Sequence, residues 1–319
     1  MFSIPHLPVV HQHRITQIEE SRRTLVVTSP PAWQAVSAQL TGLRHPHLLM
    51  SSEATVAAWQ EYATHCPMDE IEVVYAIGGG LSVDTAKYLA HTYHLPLVCI
   101  PTALTVDAFL TPASGIRRDG CVYYIPTKAP DTLILDLHVI ADAPAHLRAA
   151  GVTDVLSIAT GSWDWRFADA QGRNPATMQF IAWADDMAQV ILKHTIACAP
   201  GAGAGDHGAL KTLFDMLALE VQLCHQIGHS RPEEGSEHYF AYAVENSVGH
   251  GLLHGDLVGP GIMLMAERQG QDTAPLRHAL EVCHIPLNKI PPHIISHTLD
   301  VLPAYCAQHH LPFGIAHVR

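Results

Sequence analysis

The chain has 319 residues, 48% hydrophobic and 15% charged, which is more than one ordinary domain holds and argues against a disordered chain. With 18 Lys and Arg against 30 Asp and Glu the formal charge is −12, and without a basic stripe this argues against a nucleic-acid partner. The 7 cysteines lack paired spacing, no apolar run reaches transmembrane length, and MFSIPHLPVVHQHR has no charged leader before an apolar block, so the expectation is a cytoplasmic protein with free thiols and no membrane insertion.

Thr24 to Thr28 reads as a strand, followed by Ser29-Pro30-Pro31 and a helix from Ala32 to about Leu40. His47 to Met50 reads as a second strand, and Glu53 to His65 has helical periodicity. Val73 to Ile77 is a short apolar run rich in β-branched and aromatic side chains, suited to a parallel strand buried on both faces. Gly78, Gly79 and Gly80 then remove every Cβ, so the backbone can turn sharply and approach a ligand closely. From Ser82 the sequence reads as a helix to Tyr93, whose first turn offers unpaired N–H groups to a pyrophosphate. The spacing is not G-x-G-x-x-G, and glycines at such a turn also serve structure alone.

Leu97 to Ile100 reads as another buried strand, ending at the polar loop Pro101 to Asp107. Thr102, Thr105 and Asp107 are candidates for cofactor or substrate contact there, or caps of the turn. Thr132 to Leu135 reads as a strand, and Pro144 opens a helix. Strands alternate with helices at βαβ spacing, which predicts an α/β domain with a parallel sheet over residues 1–144.

From about Ala145 the texture changes to helical periodicity: Thr153 to Ala170, Thr177 to Cys198, Ala209 to Gly228, Glu237 to Asn246, Gly251 to Gln269 and Thr273 to Cys283. Residues 145–319 therefore read as all-helical. Gly201 to Gly205 reads as a flexible loop. With no extended linker, the two domains are expected to pack across a cleft. Three places concentrate polar groups among small residues: Asp154 in AAGVTDVL, His238 after SRPEEGSE, and His254 in GHGLLHGDLVGPG. One Asp and two His are the three N/O ligands of a catalytic metal that keeps a fourth position open. Spacing leaves His250 a rival to His254, and Asp154 also reads as a helix-start residue. Most of the 24 histidines are packing or surface residues.

GGGLSVDTAK resembles the GGG-x-x-x-D-x-A-K motif of the superfamily of iron-dependent alcohol dehydrogenases, glycerol dehydrogenases, sn-glycerol-1-phosphate dehydrogenases and 3-dehydroquinate synthases. IPTALTVDAFLTPASGI, LRAAGVTDVLS with Asp164-Trp165, SRPEEGSEH and LLHGDLVGPGIM are most similar to the glycerol-1-phosphate dehydrogenase branch, in family order from about Thr24 to Met265. The resemblance implies a dehydroquinate synthase-like fold: an α/β nucleotide-binding domain, an all-α metal-binding domain, and a divalent metal, usually zinc, between them. It maps the metal onto Asp154, His238 and His254. It maps NAD or NADP onto Gly78, Gly79, Gly80, Ser82, Asp84, Thr102, Thr105 and Thr111, and substrate onto Asp107. It also implies a homo-oligomer and a place in phospholipid metabolism.

Iron-dependent alcohol dehydrogenases carry a further histidine four residues after the ligand Asp, where this chain has Ile158. Dehydroquinate synthases have Glu for that Asp and a G-G-K segment where this chain has Pro112 to Gly115. Two positions also depart from the glycerol-1-phosphate branch: Val106 stands where it usually has His, and Tyr242 where it has a second substrate-contacting His. Tyr242 can replace that histidine as a donor. The implied reaction is reversible hydride transfer between NAD(P)H and a small, phosphorylated hydroxy-ketone such as dihydroxyacetone phosphate. Arg231 and Lys128 are candidate phosphate partners or surface salt bridges. A dehydroquinate synthase-like cyclase and a non-catalytic nucleotide-binding descendant are the alternatives.

Overall fold

The computed structural model describes residues 6–249 and 252–318. The chain divides into two compact units, one running up to Arg118 and from Val122 to Arg148, the other comprising Asp119–Cys121 and the residues from Ala149 on.

The first unit is built on β1 (Val9–Gln12), β2 (Thr24–Thr28), α1 (Pro30–Val36), β3 (Pro46–Met50), α2 (Val56–Thr64), β4 (Val73–Gly78), α3 (Gly80–Thr92) and β5 (Leu97–Pro101), followed by β6 (Ala113–Arg118), β7 (Cys121–Pro126), β8 (Thr132–Leu135), α4 (Leu137–Ala141) and α5 (Ala145–Arg148). Six strands form one sheet in the order β1-β8-β5-β4-β2-β3, and every neighbouring pair is parallel. Strands β2, β4 and β5 are buried along their whole length, as their continuous Val, Ile and Leu runs require of a sheet covered on both faces. Val26, Tyr75, Ile77, Val98, Ile100 and Ile134 meet in one of its cores. From β2 the chain moves outward to β3, returns to β4 beside β2, and then proceeds the other way to β5. The switch point therefore lies between the carboxyl ends of β2 and β4, where open parallel sheets hold ligands.

Two parts of this unit go beyond the sequence reading. Strand β1 is an exposed edge of four residues, too short and too solvated to show a pattern. Strands β6 and β7 form a separate two-stranded sheet turning at Asp119 and Gly120, both at positive φ, 52° and 74°, as a tight hairpin turn demands.

The second unit is helical: α6 (Val152–Leu156), α7 (Ile158–Ala170), α8 (Ala182–Ala204), α9 (His207–Ile227), α10 (Ser236–Val248), α11 (His254–Arg268), α12 (Ala274–Val282) and α13 (Pro292–Gln308). Gly201 to Gly205 is not a loop, because α8 continues through Gly201 and Gly203 and ends at Gly205 with φ 83°. A Cβ on Gly203 would stand 1.9 Å from the Val282 carbonyl oxygen. Gly203 lets α8 lie directly on the backbone of its neighbour, and a Cβ on Gly201 would stand 2.6 Å from Ala209 Cβ.

Candidate metal centre and nucleotide site

Asp154 stands in the first turn of α6, His238 in the first turn of α10, and His254 at the first position of α11. One ligand atom from each of the three lies within 4.8 Å of the others. His254 Nε2 is 2.9 Å from Asp154 Oδ1, and the two imidazole centroids are 5.3 Å apart. Helices α10 and α11 come this close because Gly261 has no Cβ, which would otherwise sit 2.6 Å from the Glu237 carbonyl oxygen. The rival His250 lies outside the described residues.

Glu237 completes the arrangement. Its Oε1 accepts from His238 Nδ1 at 2.9 Å and from the Gly235 N–H at 2.6 Å. A carboxylate on Nδ1 fixes the proton there and turns the Nε2 lone pair outward, the usual support of a metal-binding histidine. Burial alone would depress the His238 pKa, but the Glu237 hydrogen bond and the negative charges of Glu237, Glu234 and Asp154 overcome it and push the imidazole up to about 9. The pocket is therefore electrostatically prepared for a cation. One carboxylate oxygen and two imidazole nitrogens suit zinc, iron or nickel, so the donors present fit a divalent metal.

The N-terminus of α10 is fixed by Asp164 of α7, which is fully buried. It accepts from the Ser236 N–H at 2.8 Å, the Ser236 hydroxyl, Gln269 Nε2 at 3.2 Å and the Ile315 N–H at 2.8 Å. Burial and the nearby Glu237 charge nevertheless raise its pKa to about 6, against hydrogen bonds that lower it. Folding thus takes up a proton here between the ordinary carboxylate range and about pH 6, and the stability this contributes is present at low pH and lost as pH rises through 6. The stability of the wild type relative to Asp164→Asn should therefore grow by about 2 to 3 kcal/mol between pH 7.5 and pH 4, read from urea midpoints. A pH-independent difference would refute the assignment.

Tyr242 lies one helical turn beyond His238 with their rings 6.1 Å apart. Its hydroxyl donates to Glu234 Oε1 at 2.8 Å, while Glu234 Oε2 accepts from Ser230 Oγ at 2.7 Å. Arg231 is buried rather than at the surface, and it donates to the Phe313 carbonyl at 2.9 Å and to the Tyr239 hydroxyl at 3.3 Å. Lys128 forms the surface pair, 2.7 Å from Asp131 Oδ2.

In the first unit, the β4–α3 turn brings several nucleotide candidates together. Gly78 has φ +139°, a conformation only glycine adopts without strain. A Cβ on Gly79 would stand 3.0 Å from Thr105 Oγ1, and one on Gly78 would stand 3.2 Å from Ser82 Oγ. Thr105 Oγ1 is buried with no hydrogen-bond partner among the described residues, an oxygen held against the glycine turn. Thr102 follows β5 on the same loop, and the Asp107 carbonyl accepts from the Leu110 N–H at 2.7 Å.

Asp84 and Thr111 both meet Lys87, which sequence reasoning quoted only as part of the motif. Lys87 is fully buried. Its Nζ is 2.9 Å from Asp84 Oδ1 and donates to the Ala108 carbonyl at 2.9 Å, to Thr111 Oγ1 at 3.3 Å and to the Ala113 carbonyl. Asp84 Oδ2 also accepts from the Gly115 N–H at 3.2 Å. Lys87 thus clamps the 108–113 segment to α3.

Residues 11–144 match the family model of iron-containing alcohol dehydrogenase. The chain is 32% identical over 238 residues to a glycerol-1-phosphate dehydrogenase [NAD(P)+] of Aeropyrum pernix, covering 74% of this chain and 66% of that protein. It is 32% identical over 209 residues to the one of Methanothrix thermoacetophila, covering 66% and 58%. The matched stretch spans less than two thirds of either relative. Among solved structures, a probable glycerol dehydrogenase from Sinorhizobium meliloti shares the fold with a TM-score of 0.67 at 18% identity, over 95% of this chain and 89% of that one. The motifs, the parallel sheet with its helical second unit and these likenesses agree, and the chain is similar in sequence to glycerol-1-phosphate dehydrogenases and iron-containing alcohol dehydrogenases and shares the fold of a glycerol dehydrogenase.

Proposed function

We propose that the protein is a metal-dependent, NAD(P)-linked oxidoreductase that interconverts a small phosphorylated hydroxy-ketone and its alcohol, dihydroxyacetone phosphate and glycerol 1-phosphate or a close analogue. The observation that carries this reading is the triad Asp154, His238 and His254, two of them buried and His254 half-buried, with donor atoms within 4.8 Å and Glu237 behind His238. Those three residues would hold the metal, zinc by preference. When bound, the metal supplies Lewis acidity toward a carbonyl oxygen and the nicotinamide supplies hydride.

The chain's own groups do the rest. Glu237 keeps His238 in the ligating tautomer. Tyr242 presents a hydroxyl oriented by Glu234 as a hydrogen-bonding partner of the substrate, while Asp107 orients a substrate hydroxyl. Gly78, Gly79, Gly80, Ser82, Asp84, Thr102, Thr105 and Thr111 line the nucleotide path. Among the described residues no helix is long and apolar enough to cross a membrane, in keeping with a small-molecule enzyme of the cytoplasm. A homo-oligomer belongs to the same reading and is checked by light scattering.

The test is oxidation of NADPH and NADH by zinc-loaded and iron-loaded protein with dihydroxyacetone phosphate, against dihydroxyacetone as control. Turnover is expected with the phosphorylated ketone alone. No turnover with either ketone, in protein that still binds nucleotide and metal, would overturn the substrate, and product without net nucleotide oxidation would reveal a cyclase. Tyr242→Phe should lower kcat/KM by about tenfold, the scale of one lost hydrogen bond. An unchanged kcat/KM would remove Tyr242 from the substrate site.

A further inference from the structure

Helix α8 carries an apolar face that the second unit leaves uncovered. Its inner side, including Ala184, Ala188, Ile191 and Thr195, is buried against neighbouring helices, α9 foremost. On the outer side Trp183, Met187 and Val190 are 52%, 48% and 49% exposed, and the stripe continues through the exposed His194 and Ala197. The solvent side of a helix ordinarily carries charged and polar residues. Among the exposed residues of α8 the only carboxylate is Asp186 and the only ammonium is Lys193. Large apolar side chains gathered on one exposed stripe, Trp and Met among them, mark a protein contact.

The spacing and the two charges say what covers it. Residues 183, 187, 190, 194 and 197 are four, three, four and three apart, the repeat that keeps one stripe of a helix facing a second helix over a seam of roughly 20 Å. Asp186 and Lys193 each directly precede a seam residue, Met187 and His194, so both stand on the same flank. The other flank, Ala184 and Ile191, is buried in the unit. Two copies of α8 packed parallel about a two-fold axis would set the charged flank of each against the buried flank of the other. Packed antiparallel, the charged flank meets its own copy, and Asp186 of each chain comes beside Lys193 of the other. The stripe is therefore complementary to itself, which a two-fold contact requires. We propose that the outer face of α8 is a homodimer contact in which this helix lies antiparallel on its counterpart in a second copy, with Met187 against Val190 at the centre, Trp183 against His194 on either side, and two Asp186–Lys193 pairs along one flank. Neither metal nor nucleotide enters this contact, so it stands apart from the catalytic reading.

Analytical ultracentrifugation of the whole protein, from about 1 to 100 µM and without ligands, tests this independently of turnover. A single helix seam lies at the low end of specific interfaces, so the wild type should self-associate with a Kd of micromolar order. Val190→Glu places a carboxylate near the two-fold axis, opposite its own copy, and should raise Kd by about 100-fold or more. Position 190 is half-exposed in the single chain, so the variant is expected to keep its circular dichroism and its melting temperature at low concentration. Asp186→Lys should weaken association by about tenfold, since Lys then meets Lys, and Asp186→Lys with Lys193→Asp should restore the wild-type Kd because the pairs reform with their signs exchanged. That recovery is what a role within the single chain would not produce. A wild type that stays monomeric at 100 µM would overturn the proposal and leave the stripe to a different protein. An assembly whose mass Val190→Glu leaves unchanged, or a double variant no tighter than Asp186→Lys alone, would overturn it as well.

Discussion

Alanine at position 254 should leave a folded protein that no longer retains metal. In the wild type, saturating zinc or iron is expected to raise the unfolding free energy by about 4 kcal/mol at a thousandfold excess over Kd, and His254→Ala should abolish that increment together with turnover. Removing His254 also removes the 2.9 Å contact that its imidazole makes with Asp154, so the stability of the metal-free variant is the necessary comparison. Glu237→Gln should give an intermediate result. It keeps an oxygen toward Nδ1 of His238 but loses the charge, and metal affinity should fall about 10- to 100-fold, recoverable by added metal. Unchanged metal content in His254→Ala would remove that residue from the site.

Lys87→Met should destabilise the first unit by about 3 to 5 kcal/mol, the usual cost of removing one partner from a buried ion pair. Methionine keeps the apolar stem but leaves Asp84 opposite a thioether and the Ala108 and Ala113 carbonyls without their ammonium donor. Urea unfolding monitored in the first unit reads the loss. The double variant Lys87→Met with Asp84→Leu should recover part of it, because replacing both charges with apolar groups is far less costly than orphaning one. A double variant no better than the single one would show that the carbonyl contacts, not the ion pair, dominate. The 108–113 segment held by Lys87 should loosen in either case, weakening nucleotide binding along with stability.

The strands that carry the sheet are legible in sequence wherever both faces are buried, since Leu25 to Val27 and Val73 to Ile77 leave no polar position to confuse the pattern. Edge elements are not. Val9–Gln12 is exposed at every residue, and nothing in four solvated residues distinguishes a strand from a loop. The β6–β7 pair had a usable signal, Asp119-Gly120 between Ile116 and Val122, but the polar ASG and RRDG segments mask its alternation. Gly201 and Gly203 mislead for another reason: composition reports conformational freedom, whereas their role is close packing, Gly201 against Ala209 and Gly203 against the Val282 carbonyl.

At the candidate metal centre, residue types and motif order pick out Asp154, His238 and His254, whose ligand atoms lie within 4.8 Å of one another, while helical spacing alone leaves His250 equally eligible. Glu237 is harder to foresee. Consecutive helical residues do not normally face each other, and Glu237 reaches His238 Nδ1 only because both occupy the first turn of α10, beside the tight Gly235 backbone. Asp164 is invisible for the same reason at longer range, since its partners come from positions 236, 269 and 315.

That reach has a consequence for biosynthesis. Asp164 and Ile315 are 151 residues apart in the chain, an interval the ribosome needs about 10 to 30 seconds to translate at ordinary elongation speeds. During it the carboxylate that steadies α10 lacks one of its donors, and His238 stands on a helix whose start is incompletely tied. Completion of the support under His238 is thus a late event in the life of the nascent chain.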